Sequence, residues 1–123
     1  MYHVSKEQLD LTEVDSGVYL ADLAVTERAS MKYWRVEPGA TLPTHSHEHD
    51  QIGFVIDGTM VALTDGTELR LEPGDSYAFP GGEIHGAENR GGEPCVGVGI
   101  FVPPRGEPEW GTASEASAIE STD

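Results

Sequence analysis

One cysteine, Cys95, occurs among the 123 residues, so no internal disulfide can form and a reducing, cytoplasmic setting is expected. Lysine is nearly missing. Only Lys6 and Lys32 are present, and the 7 basic residues face 22 acidic ones for a formal net charge of −15. Such a field repels polyanions, which excludes a nucleic-acid binder working by phosphate neutralisation and an anionic membrane surface as a partner. No apolar run approaches the ~18 residues of a transmembrane helix. The opening MYHVSKEQLDLTEVD has neither the basic start nor the apolar stretch of a signal peptide. Sustained helical periodicity is absent away from the ends. These absences leave a single intracellular domain with one modest core.

The acidic excess is scattered along the chain, as expected of a protein that folds in concentrated salt. At about 1 M salt the screening length is only ~3 Å, so carboxylate self-repulsion is largely removed. The alternative is an ordinary acidic cytosolic protein. A fold that survives at low ionic strength as well as in molar salt favours that alternative.

What is present is a series of short apolar runs cut by Gly, Pro and Asp. Residues 17–25, 31–37, 51–56, 59–64, 67–72, 76–79 and 95–102 each read as a strand, rich in β-branched and aromatic residues and bounded by turn formers. Asp65-Gly66 between two such runs signals a two-residue hairpin. The pattern predicts an all-β sandwich or closed barrel. It divides the chain into a polar segment 1–16, a β-domain 17–111 and an acidic tail 112–123 expected to be disordered.

Four of the five histidines fall in two windows. The first runs from Gly39 through His45-Ser46-His47-Glu48-His49-Asp50-Gln51 to Gly58; the second runs from Gly74 through Pro80, Gly82 and His85 to Asn89. On a strand, residues two apart share a face, so His45 and His47 can lie side by side, with Gln51 on the same face if the pairing stays regular. His85 could add a third imidazole from another strand. Three imidazoles and an amide oxygen would bind a divalent transition metal with positions left open. The plainer alternative is a solvated His-x-His at a strand end beside Glu48 and Asp50.

These windows resemble the two signature motifs of the cupin superfamily. The first is matched at Gly39, His45, His47 and Gly58, with Gln51 where the family usually has an acid. The second, Gly-x5-Pro-x-Gly-x2-His-x3-Asn, is matched at Gly74, Pro80, Gly82, His85 and Asn89 without a gap. From average residue frequencies, a chance match at those five positions is below about 10⁻⁴. The resemblance implies a cupin double-stranded β-helix, or jelly-roll barrel, in which His45, His47, Gln51 and His85 hold a metal. With a neutral fourth ligand the metal keeps more of its charge, which favours Zn²⁺ or Ni²⁺ over the alternatives iron, manganese and copper.

A narrower resemblance, through HSHEHDQIGFVIDG, PGDSYAFPGGEIHGAEN and IFVPPRGEPEW, is to the KdgF-type pectin-degradation cupins. That family opens the ring of 4,5-unsaturated uronates. The resemblance implies a small anionic sugar-acid substrate and site roles for Phe101 and Arg105. The aspartate that the family carries two residues before the phenylalanine is Gly99 here, which removes a general base worth about 10²–10⁴-fold. Tyr77, His49 or a metal-bound hydroxide are the candidate substitutes. His49 has the parity to join the ligand face and reads as a rim residue. Arg105 either clamps a substrate carboxylate or pairs with an acid such as Glu107. Phe101, Trp34 and Trp110 read first as packing residues. A metal-dependent oxygenase and a non-catalytic ligand-binding cupin are the alternative functions. By analogy with other small cupins, a homodimer is expected.

Overall fold

The computed structural model describes residues 1–105; Trp110, Glu107 and the stretch 112–123 lie outside the described residues. After a 3-10 turn at Lys6–Gln8, ten strands follow in order. They are β1 (Thr12–Asp15), β2 (Val18–Val25), β3 (Ser30–Val36), β4 (Thr41–His45), β5 (Asp50–Asp57), β6 (Met60–Thr64), β7 (Thr67–Leu71), β8 (Ser76–Phe79), β9 (His85–Glu88) and β10 (Cys95–Val102). Antiparallel pairing makes a six-stranded sheet, β1-β2-β3-β10-β5-β8, and a four-stranded sheet, β4-β9-β6-β7. From β3 onward the chain crosses repeatedly between the sheets, which is the winding of a double-stranded β-helix. No helix among the described residues is long and apolar enough to cross a membrane.

All seven runs expected as strands are strands, each within a residue of the expected ends. Three further strands, β1, β4 and β9, were not expected. β4 contains Pro43, which lacks a ladder donor and is tolerated because β4 is an edge of its sheet. β9 is only His-Gly-Ala-Glu, with no β-branched residue, and is held by partners on both sides, β4 and β6. Tertiary pairing overrides strand propensity at both. The Asp65-Gly66 hairpin closes as expected, with Thr64 opposite Thr67 and Gly66 at φ 77°.

The core fills the space between the sheets with Val18, Trp34, Val36, Val55, Met60 and Leu71 among its members. Full burial of each large aliphatic side chain stabilises by about 1.5–3 kcal/mol. Inner-face glycines make room for rings: a Cβ at Gly97 would drive into the Trp34 indole, and one at Gly53 into the Tyr77 phenol. Cys95 is fully buried, and burial pushes its thiol up to about 11, so it packs as an inert apolar residue. Asn89 is 1% exposed and saturated. Its Nδ2 donates to the Val36 and Glu93 carbonyls at 3.0 and 2.8 Å, and its Oδ1 accepts from the Gly91 N–H at 2.9 Å. That motif asparagine ties the end of β9 to β3, which fixes one sheet against the other.

Candidate metal centre

His45 ends β4 and His85 begins β9, and the two are cross-strand partners with ring centroids 4.6 Å apart. His47 departs from the expectation of a shared strand, because the chain leaves β4 at His45 and residues 46–49 form a loop. That loop is held by the Pro80-Gly81-Gly82 segment. The Gly82 N–H donates to the His47 carbonyl at 2.8 Å, and the Gly81 N–H donates to Asp50 Oδ1 at 2.8 Å. A Cβ at Gly81 would collide with the Glu48 carbonyl, so backbone lies directly on backbone there. The His47 ring consequently stands 5.3 Å from that of His45 and 4.9 Å from that of His85. Ligand-capable atoms of the three histidines all lie within 4.8 Å of one another.

Backbone carbonyls set the ring tautomers. Nδ1 of His45 is 2.8 Å from the Pro43 oxygen, Nδ1 of His47 is 3.1 Å from that of His49, and Nδ1 of His85 is 3.0 Å from that of Glu83. A carbonyl only accepts, so each Nδ1 carries the hydrogen, and in a neutral ring Nε2 keeps its lone pair. Nε2 of His47 and of His85 are buried and meet no hydrogen-bond donor among the described residues. Burial lowers His47 to about 3, and the Arg105 charge and the neighbouring histidines add to it. Burial likewise lowers His85, against the opposing Glu83 carbonyl. With each Nδ1 turned to a carbonyl and the ligand-capable atoms within 4.8 Å of one another, the three residues fit a divalent transition ion bound through Nε2.

Gln51 reaches the same region from β5 in the opposite sheet, because the loop breaks the regular continuation from His47. Its side chain lines the cavity beside His45 and His85, and a Cβ at Gly99 would stand 3.6 Å from its Nε2. Tyr77 is pushed up to about 12 by burial, against an opposing hydrogen bond with Gln51, so at neutral pH it carries its proton. Phe79, which the sequence reading did not single out, lies flat on the His85 ring at 4.2 Å and 5°. Its only sequence signal is its period-2 spacing from Tyr77 on β8.

Phe101 is 6% exposed and faces inward from β10, 6.2 Å from the His47 ring and 6.5 Å from the His49 ring. The Arg105 guanidinium sits 5.3 Å over the Phe101 centroid. Arg105 is buried, not a surface arginine, and its backbone N–H donates to Ser30 Oγ at 2.9 Å. His49 is 3% exposed, and its carbonyl is the acceptor that orients His47. A cavity of about 70 Å³ runs from these groups toward Leu42, Met60 and Leu71, and Lys32, also unremarked in the sequence, forms part of its wall.

The cupin-domain family model matches residues 32–101. Over 67 residues the chain is 36% identical to H2HPP isomerase of Bacillus subtilis, a match covering 54% of this chain and 28% of that protein. It is 33% identical over 75 residues to the tetracenomycin polyketide synthase protein TcmJ of Streptomyces glaucescens, covering 60% of this chain and 50% of that protein. The chain therefore spans half or less of these curated relatives. Among solved structures, KdgF from Halomonas sp. superposes with a TM-score of 0.77 at 28% identity, over 85% of this chain and 94% of that one. An RmlC-like cupin from Shewanella frigidimarina gives 0.77 at 23% identity, over 84% and 91%, which is a likeness of fold. With the double-stranded β-helix, both histidine motifs and more than half its length matched by the family model, this chain belongs to the cupin family.

Proposed function

We propose that this protein is a metal-dependent isomerase of small anionic sugar acids, opening the ring of 4,5-unsaturated uronates to the linear ketouronate. The observation that carries the reading is the convergence of three imidazoles, their Nδ1 atoms engaged by carbonyls and their ligand-capable atoms within 4.8 Å of one another, beside a cavity with a buried arginine in its wall. The likeness to KdgF supports it. His45, His47 and His85, with Gln51, would hold the ion, and the neutral donor set favours zinc or nickel. The bound ion supplies Lewis acidity toward a substrate oxygen.

The remaining roles belong to the chain. Arg105 holds the substrate carboxylate through its planar fork, and its stacking on Phe101 orients that fork. Phe101 and the apolar wall exclude water from the reacting carbons. Tyr77, protonated at neutral pH, donates a hydrogen bond toward the sugar ring. Ring opening breaks the bond between C1 and the ring oxygen and moves the anomeric hydroxyl proton to C4, so no atom is gained or lost. Gly99 offers no base for that transfer, and turnover is expected to fall about 10²–10⁴-fold below that of a site with an aspartate there.

The test is to load the protein with zinc or nickel, add unsaturated galacturonate and follow the conjugated-ene absorbance. Slow, metal-dependent loss is expected; no loss with either metal overturns the reading. We also take the protein to be a cytoplasmic homodimer that pairs through the outer face of β5. Ile52, Phe54 and Ile56 there are 54%, 45% and 49% exposed. Their cross-strand neighbours Ala78, Ser76, Ile100 and Val98 bring no carboxylate, so two strongly acidic copies can approach on this face. A monomer mass by light scattering would remove the pairing.

A further inference from the structure

A carboxylate ligates a metal through either oxygen, whereas a carboxamide ligates through its oxygen alone and carries hydrogens at its other end. Gln51 stands where the cupin motif usually has an acid, so something must turn its amide the right way round. Its lateral neighbours do not. Phe79 on β8 and Phe101 on β10 are its cross-strand partners, and neither ring has a polar group to fix the amide. Tyr77 is placed to do it. It lies two residues before Phe79 on β8, diagonal to Gln51 on the same face of the sheet, a separation that a long aromatic side chain spans. The phenol is laid over β5 because its own cross-strand partner is Gly53, where a Cβ would drive into the hydroxyl and the ring carbon that bears it. Gly99, the partner of Gly53 on β10, continues that bare lane. Gln51 Nε2 is turned to the lane, since the Cβ position at Gly99 stands 3.6 Å from it. The hydrogen bond between Gln51 and the Tyr77 hydroxyl favours the phenolate, as a bond donated to the phenol oxygen does, so the amide N–H is the donor.

We propose that Tyr77 is a positioning residue of the metal centre: its phenol oxygen accepts from Gln51 Nε2 and leaves the carboxamide oxygen as the end presented to the ion. This rests on the reading of Gln51 as the fourth ligand, and it adds a residue to that same site. Gly53 is part of the device, because a side chain there would lift the phenol off the strand. The hydroxyl hydrogen of Tyr77 stays available to donate into the cavity, as ring opening uses it.

The test is the zinc affinity of the full chain, without substrate, measured by competition with a chromophoric chelator. Tyr77→Phe keeps the ring and should weaken zinc about tenfold, the low end of what loss of a ligand's hydrogen-bond partner costs. In a Gln51→Glu background the same change should stay within about twofold, because a carboxylate needs no turning. The cobalt-loaded protein gives a second readout: Tyr77→Phe should shift its visible absorption, and in the Gln51→Glu background it should not. A Tyr77→Phe protein that keeps zinc within about twofold of the wild type while Gln51→Ala loses it overturns the proposal. So does a loss of equal size in both backgrounds, which would be the mark of a purely structural tyrosine. Unchanged affinity in Gln51→Ala removes the fourth-ligand reading and this proposal with it. Because no substrate enters the measurement, a failure to open unsaturated galacturonate sinks the isomerase reading and leaves this one standing.

Discussion

The two sheets meet the cavity with different chemistry. The four-stranded sheet and the loop leaving it present His45, His85 and His47, each oriented by a carbonyl two residues away in sequence. The six-stranded sheet presents Lys32 directly, and the segment after its β10 presents Arg105. These charges are placed across strands, by Asp22 and the distant Gly99 for the lysine, and by the distant Ser30 together with nearby Phe101 for the arginine. One wall offers imidazole electron pairs prepared by local backbone geometry. The other carries positive charge placed by strand register. On the proposed function the difference teaches that metal binding and carboxylate binding are separable, so each can be broken without the other.

The largest effect is expected from His47→Ala. Bound metal after dialysis, measured by elemental analysis, should fall at least tenfold, whereas Arg105→Ala should leave the stoichiometry unchanged. Metal retained in the first variant, or lost in the second, would break the separation. Gly99→Asp comes next. A Cβ there meets only ordinary contacts, the nearest at 3.6 Å, so the chain should accept it. Ring-opening rate should rise about a hundredfold, the low end of the range for a restored general base. No gain in rate would show that this pocket serves different chemistry.

The smallest effect concerns acid stability of the metal-free protein. His47 titrates near its ordinary 6.5 when unfolded and at about 3 when folded, so between those values the unfolded chain binds the extra proton. Stability is therefore lost as pH falls below about 6.5 and stops falling for this group near 3. The melting temperature should drop by several degrees from pH 7 to pH 4, and His47→Gln should flatten that slope. An equal slope in both proteins would assign the acid sensitivity elsewhere.

Much of this was legible before any fold was known. Period-2 alternation, turn residues and the Asp65-Gly66 hairpin mark the strands whose own side chains favour extension. His45, His47 and His85 stand out because their spacing belongs to a motif, and the structure brings them together. β4 and β9 were not legible, since Pro43 and the Gly86-Ala87 pair argue against strands until neighbours supply the hydrogen bonds. The loop at His47 was hidden for the same reason. Its geometry depends on Gly81 and Gly82, more than thirty residues away.

Lys32 shows the limit most clearly. In Met31-Lys32-Tyr33-Trp34-Arg35-Val36 both faces of the strand mix apolar and cationic residues, so alternation alone does not say which face turns inward. Pairing with β2 and β10 decides it, and puts the lysine in the wall and Met31 and Tyr33 on the other face. By itself, then, the sequence determined the strand content, the motif turns and the identity of the imidazole donors, because these follow from short-range backbone preferences. Only the tertiary structure decided the loop that aims His47 and the cationic wall opposite Gly99. Those depend on register between distant strands, and register is fixed by the packing of the whole barrel.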